Sequence, residues 1–267
     1  MQGTARHLMR IAAIFAITAL VTSQPAAAIT YGQPDGNLHP NVGAMIRLRS
    51  DGVYRILCSG SLIAPTVFLT ASHCTTFLER QGISDVWVTF DSKFTQRSKL
   101  IHGTMHSNPL YNQAQSDTGD IAVIILDKAV TIAPVELPTA GLLDQMKASG
   151  TLNGTLFTSV GYGIQEPQTG PGGITAAFPM ERWYAVGEFD ALNKTYLRIS
   201  QNQATGDGGT CSGDSGGPQF LGGGATETPT QVSITITGDV FCFATNVVYR
   251  IDTPQARAFL GQFVTLP

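Results

Sequence analysis

Short apolar or alternating runs recur along the chain, separated by Gly, Pro, Asn or Asp, and helical periodicity is scarce. The runs are Val42–Leu48, Tyr54–Cys58, Ser61–Ile63, Val67–Thr70, Val86–Phe90, Ile121–Leu126, Leu156–Gly161, Ala185–Phe189, Leu197–Ser200, Val232–Ile236 and Val247–Ile251. Strict alternation fits a strand with one face on a core, and a short continuous apolar run fits a strand covered on both faces. About a dozen such strands with turn formers between them predict an all-β protein, a sandwich or barrels. One helix is predicted, at the C-terminus. Asp252 or Thr253 caps it, Pro254 suits its first turn, and Gln255–Leu260 continue it. Gly222–Thr230 reads as a surface loop.

The first segment follows a different pattern. Arg6, His7 and Arg10 precede an apolar stretch from Ile11 to Val21, followed by Thr22-Ser23-Gln24-Pro25-Ala26-Ala27-Ala28. A basic start, a short apolar middle and a small-residue site predict a secretory signal peptide over residues 1–28, cleaved after Ala28. The stretch is shorter than the roughly 20 residues a membrane-spanning helix needs, and no later run is longer. The mature protein is therefore expected to be secreted, extracellular or periplasmic, with no membrane partner after cleavage. Residues 29–267 fit one large domain or two small ones. Composition sharpens the all-β reading: 43% hydrophobic and only 13% charged, with 29 Gly and 14 Pro. A net charge of −3 supplies no basic field, which removes nucleic acid as a partner. Four cysteines in an exported chain predict two disulfides, with three pairings open.

The candidate chemistry lies in three places. Gly213-Asp214-Ser215-Gly216-Gly217-Pro218 sets a serine on a glycine-rich turn, where backbone N–H groups lie open beside the hydroxyl. Thr70-Ala71-Ser72-His73-Cys74 supplies an imidazole, and Asp120 opens the apolar run Ile121–Leu126. Amide hydrolysis needs a nucleophile, a proton acceptor and a site for the oxyanion. Ser215 is the nucleophile once a base takes its proton. An imidazole changes its charge near neutrality, which makes His73 the candidate base. Singly, each has a plainer reading, a structural histidine or a turn residue, and their joint occurrence decides. His39, His102 and His106 have no supporting motif and are expected on the surface or in loops, with Asp117 and Asp127 as solvated turn residues. HExxH, clustered ligands and phosphate-binding loops are absent from the sequence, so no metal and no cofactor is expected.

The order His, Asp, Ser and these local contexts resemble the chymotrypsin/trypsin-like serine peptidases, along nearly all of residues 29–267 and most strongly at the three motifs. The resemblance implies the roles: Ser215 as nucleophile, His73 as its base, Asp120 as the group that orients the imidazole, and the N–H groups of Gly213 and Ser215 as the oxyanion site. The resemblance implies two six-stranded antiparallel β-barrels with a short C-terminal α-helix: a first barrel over about 29–135, a second over about 150–252, and a helix over about 253–262. The divide falls in Ala133–Leu152, and the site in the crevice. It implies the pairings Cys58–Cys74 and Cys211–Cys242, each stabilising by roughly 3 kcal/mol. The start Ile29-Thr30-Tyr31-Gly32 resembles the apolar terminus of activated members, whose α-ammonium pairs with the aspartate before the nucleophile, here Asp214. Signal cleavage alone would then create the active terminus.

Departures from the family bear on specificity. Gly209, followed by Thr210, stands at the pocket floor where trypsins carry an acid, which argues against cleavage after Arg or Lys. Thr237-Gly238-Asp239 stands where Ser-Trp-Gly is usual, Thr237 is expected to hydrogen-bond near Asp120, and Val247 is expected at the far wall. Asp239 adds a charge if it points inward. A small or medium apolar side chain before the cleaved bond is the implied preference. Gly161-Tyr162-Gly163 replaces a usual Gly-Trp-Gly. The implied protein is a monomeric secreted serine endopeptidase acting through an acyl-enzyme on peptide or protein substrates, and open to protein inhibitors. The alternatives are a catalytically weak binding protein on the same fold and an esterase using the same triad.

Overall fold

The structure is a computed structural model that describes residues 29–165, 168–170, 173–175 and 178–267. The predicted signal peptide lies outside the described residues. After a two-residue strand, β1 (Gln33–Pro34), come β2 (Val42–Leu48), β3 (Tyr54–Ala64), β4 (Val67–Thr70), β5 (Asp85–Thr89), β6 (Ile101–Ser107) and β7 (Ala122–Leu126). These six close an antiparallel barrel in the order β2-β3-β4-β7-β6-β5. The second half holds β8 (Leu156–Gly161), a hairpin of β9 (Gln168–Gly170) and β10 (Gly173–Thr175), then β11 (Trp183–Leu192), β12 (Tyr196–Ser200), β13 (Pro218–Leu221), β14 (Gln231–Gly238) and β15 (Thr245–Arg250). Its barrel runs β8-β11-β12-β15-β14-β13 and closes because β8 pairs with both β11 and β13. β1 adds to β11, which ties the N-terminal segment to the second barrel. Two six-stranded antiparallel barrels with a short C-terminal helix are thus the architecture the resemblance implied.

Details differ from the sequence pattern for identifiable reasons. Tyr54–Cys58 and Ser61–Ile63 belong to one strand, because Ser59 and Gly60 stay extended opposite Ala44 and Gly43. β6 is too polar to read as a strand and is ordered by pairing on both sides. β13 begins at Pro218, where a strand tolerates the missing N–H. The expectation of a single helix is corrected by three among the described residues: α1 (Ser72–Glu79), α2 (Leu142–Ser149) and α3 (Pro254–Leu260). α1 is built from Ser, Thr and Cys, poor helix formers, so tertiary packing holds it. Ser72, Cys74, Thr75 and Leu78 are its buried positions. α2 lies in the inter-barrel stretch, and its Leu143 N–H donates to Asp252 Oδ2 at 2.9 Å. Asp252 therefore serves α2, while Thr253 caps α3, with its side chain accepting from the Ala256 N–H at 3.3 Å.

One core fills the first barrel and the seam between barrels, where Leu69, Val123 and Ile124 meet Val160, Ile234 and Tyr249. α3 follows the second barrel yet contributes Ala256, Phe259 and Leu260 to this same core. A second core, with Phe157, Leu197, Ile199, Val232 and Val248, lies within the second barrel. Through the seam runs a buried polar chain. Ser61 Oγ on β3 donates to Gln231 Oε1 on β14 at 2.6 Å, and Gln231 Nε2 donates to the Ser233 carbonyl. Ser233 Oγ donates to Gln219 Oε1 at 2.9 Å, and Gln219 Nε2 donates to Thr235 Oγ1 at 2.7 Å.

Candidate active site

His73 sits in the first turn of α1, directly after β4, and Asp120 directly before β7. β4 and β7 pair with Thr70 opposite Ala122, so the two residues leave neighbouring strands on the same side. His73 Nδ1 lies 2.8 Å from Asp120 Oδ2, and the His73 backbone N–H donates to Asp120 Oδ1 at 2.8 Å. The carboxylate thus grips both the ring and the main chain of the histidine. Ser72 closes the corner, with its hydroxyl donating to the Ile121 carbonyl and accepting from the Asn108 N–H. Asp120 is buried, while the His73 side chain keeps about a quarter of its surface exposed.

Ser215 arrives from the second barrel. The Ser59 N–H donates to the Ser215 carbonyl at 2.9 Å, and Ser59 Oγ donates to the Gly213 carbonyl at 3.0 Å. Gly216 packs so closely on Thr70–Ala71 that a Cβ there would lie 2.8 Å from the Ala71 nitrogen. The serine turn is therefore pressed against the segment that presents His73. The Ser215 hydroxyl has no hydrogen-bond partner among the described residues; such contacts often tighten only with substrate bound. Gly213 has φ +98°, a conformation that favours glycine. Among the described residues no acceptor engages the Gly213 or Ser215 N–H.

Both expected disulfides are formed. Cys58–Cys74 joins β3 to α1 one residue after His73, and Cys211–Cys242 braces the turn before Ser215. The sulfurs near His73 are bonded to each other and are not free to ligate a metal.

Asp214 is fully buried behind Ser215. It accepts N–H bonds from Gly163 at 2.7 Å and Cys211 at 2.9 Å. A Cβ at Gly161 or Gly163 would collide with its carboxylate. Burial pushes its pKa up to about 7, and the two N–H donors do not offset that. Ile29 is also buried, and Thr30 forms an antiparallel bridge with Gly209. Tyr162 is buried, with its hydroxyl donating to the Asp91 carbonyl and accepting from Arg182.

Beside Ser215 lies a cavity of about 380 Å³, walled by Thr235–Val240 and by Thr210–Ser212 with the Cys211–Cys242 bridge. Of the expected pocket residues, Thr210, Thr237, Gly238 and Asp239 line it, and Gly209 and Val247 do not. Gln201, which ends up against Gly209, takes the space beside the floor. A Cβ at Gly209 would run into its side chain, and the Thr210 N–H donates to its Oε1 at 3.0 Å. Thr210 Oγ1 donates to Asn246 Oδ1 at 2.8 Å. Thr237 is exposed and makes no side-chain hydrogen bond among the described residues, so the expected contact near Asp120 is not formed. A bulge in β14 between Thr235 and Thr237 explains the difference. It brings Thr235 and Ile236 into the wall, one step earlier than alternation places it. Asp239 accepts from the N–H groups of Phe241, Phe243, Ala244 and Thr245. Burial alone would raise its pKa, but these donors hold it down at about 2.

Two other features escaped sequence reasoning because their partners are remote in the chain. His39 lies in a loop, as expected, but it is buried there and not on the surface. Its Nδ1 meets Asp35, its Nε2 lies 2.7 Å from Glu227, and its ring stacks on Phe220. Burial would lower its pKa, yet the bonds to Asp35 and Glu227 raise it to about 9. Arg182, fully buried, donates to the same Asp35 at 2.7 Å. Asp117 is not simply solvated either: the Tyr249 hydroxyl donates to its Oδ1 at 3.0 Å, and Tyr196 is bonded to Thr118. Two tyrosines of the second barrel thus hold the loop that delivers Asp120. His102 and His106 lie on β6, with His102 between Asp127 and Asp85 and His106 against Phe263.

Paired barrels that join a histidine–aspartate couple to a serine turn across their seam define the class of two-barrel serine hydrolases. The sequence profile described as Trypsin matches residues 35–254, so the chain belongs to the trypsin family of chymotrypsin/trypsin-like serine peptidases. It is similar to the trypsin of Saccharopolyspora erythraea, 29% identical over 198 residues that cover 71% of this chain and 81% of the relative. It is also similar to brachyurin of Leptuca pugilator, 31% identical over 183 residues that cover 60% and 69%. A solved structure described as HL collagenase superposes with a TM-score of 0.64 at 16% identity, over 89% of this chain and all of that one, which speaks to the fold alone.

Proposed function

We propose that the protein is a secreted serine endopeptidase that cleaves peptide bonds through an acyl-enzyme. The observation that carries this reading is the grip of Asp120 on both the ring and the backbone of His73, with the Ser215 turn packed on the same segment. In this mechanism Asp120 fixes the imidazole with Nδ1 protonated, leaving Nε2 free to accept. His73 takes the proton of Ser215 Oγ as the oxygen attacks the carbonyl, then delivers it to the leaving amine. The free N–H groups of Gly213 and Ser215 stabilise the oxyanion; losing one such donor typically costs roughly 100- to 1,000-fold in rate. Water activated by His73 then releases the acyl group.

In this reading the side chain before the cleaved bond is small or medium and apolar rather than basic. Gly209 brings no acid, Gln201 occupies the space beside it, and the Asp239 carboxylate is committed to loop amides. Ile236, Val240 and the disulfide supply the apolar wall. We further assign activation to the α-ammonium of Ile29, released by signal cleavage, pairing with Asp214. Support comes from the burial of both residues and from a carboxylate held only by backbone N–H groups. Treating protein that begins at Ile29 with a fluorophosphonate tests the reading, with Ser215→Ala as control. Rapid labelling at Ser215, absent in the variant, is expected. No labelling would overturn the peptidase reading and favour a binding protein on this fold.

A further inference from the structure

The turn joining β14 to β15 carries three apolar side chains into solvent: Val240, Phe241 and Phe243 are 90%, 51% and 41% exposed. Large apolar groups displayed together on a surface mark interaction sites more often than accident. The turn is also held in place. Four of its N–H groups donate to the Asp239 carboxylate at 2.8–3.1 Å, and Cys242 within it is bonded to Cys211. The Phe241 and Phe243 rings stack with centroids 6.3 Å apart, and the Tyr31 ring lies 6.4 Å from Phe243. From Val240 to Asn246 the sequence carries no charge.

We propose that this aromatic row docks an apolar stretch of the polypeptide substrate whose neighbouring residue enters the cavity beside Ser215. The proposal rests on the peptidase reading. Continuity carries it: Val240 and Cys242 line that cavity and flank Phe241 in the chain, so the rings adjoin its rim. The uncharged surface selects apolar partners, and rings held by a fixed backbone lose little conformational freedom on binding.

The test is digestion of a randomised peptide library by the mature protein and by the Phe241→Ser/Phe243→Ser double variant. The native protein is expected to cleave preferentially where Leu, Ile, Val, Phe or Tyr lies within about four residues of the cleaved bond. The double variant should lose that preference. Its kcat/KM on an apolar-flanked peptide should fall about tenfold, the change that loss of one modest apolar contact produces. Fluorophosphonate labelling of Ser215 should change less than twofold, which also reports that the variant is folded. An unchanged cleavage preference would overturn the proposal. So would self-association in sedimentation, or binding to phosphatidylcholine vesicles, that the double variant abolishes, since the row would then belong to a second copy or a lipid surface. Absence of labelling in the native protein would instead mark failure of the peptidase reading itself.

Discussion

Asp214 makes an uncleaved chain pH-sensitive in a direction opposite to that of most structural carboxylates. In the activation proposed above, one residue left before Ile29 turns its amine into a peptide bond and supplies no cation. Asp214 then has two backbone N–H donors against complete burial, and its pKa rises from 3.8 to about 7. A folded pKa above the unfolded value means that stability is complete below about pH 4 and is lost as pH rises through 7. At about 1.4 kcal/mol per unit the loss totals about 4 kcal/mol, of which about 3 kcal/mol falls between pH 4.5 and 8. For a chain of this size that corresponds to a drop in Tm of about 10 °C. The assay is thermal unfolding across this range for a chain beginning at Ala28, with and without Asp214→Asn. The difference between the two isolates Asp214, because every other titrating group is shared. The extended native sequence should lose about 10 °C more than its Asn counterpart, and trimming to Ile29 should remove the loss by supplying the ammonium. Equal pH slopes for the two extended chains would refute the reasoning.

His39 gives the mirror case. With a pKa raised from 6.5 to about 9, it contributes stability that is complete below pH 6.5 and lost as pH rises through 9. The stability gap between the native protein and His39→Gln, by urea unfolding, should narrow by up to about 3 kcal/mol between pH 6 and 10; a constant gap would count against the Asp35–His39–Glu227 bonds. Tyr249→Phe removes the hydroxyl that holds Asp117 and should slow Ser215 labelling about fivefold, at a stability cost of about 1 kcal/mol. Unchanged labelling would show that the loop ending at Asp120 needs no such anchor.

The pattern of apolar positions gave β2, β4 and β8 with the boundaries they have, because each is a short run between turn formers with a face on a core. α1 was invisible for the converse reason: its residues disfavour a helix locally, and its order comes from packing that sequence does not display. The three catalytic candidates were legible through their motifs taken together. The pocket was not. A single bulge at Ile236 shifted its wall, and Gln201 reaches Gly209 across a gap that no spacing rule predicts. His39 reads as an ordinary loop residue until Glu227, 188 positions away, closes on it.

The polar chain from Ser61 to Thr235 bears on how the two barrels find each other. Greasy surfaces tolerate sliding, since one apolar contact substitutes for another at small cost. Here one bond of the chain, Ser61 Oγ to Gln231 Oε1, crosses from the first barrel to the second through a largely apolar seam, and the remaining bonds hold Gln231 in place within the second barrel. A slip of one residue would strand the buried Ser61 hydroxyl and Gln231 amide away from water, at about 1–3 kcal/mol apiece. The seam therefore acts as a keyed joint that penalises near-miss dockings more than it rewards contact. Since His73 and Asp120 stand on one side and Ser215 on the other, the same key decides whether the three groups share a workable alignment at all.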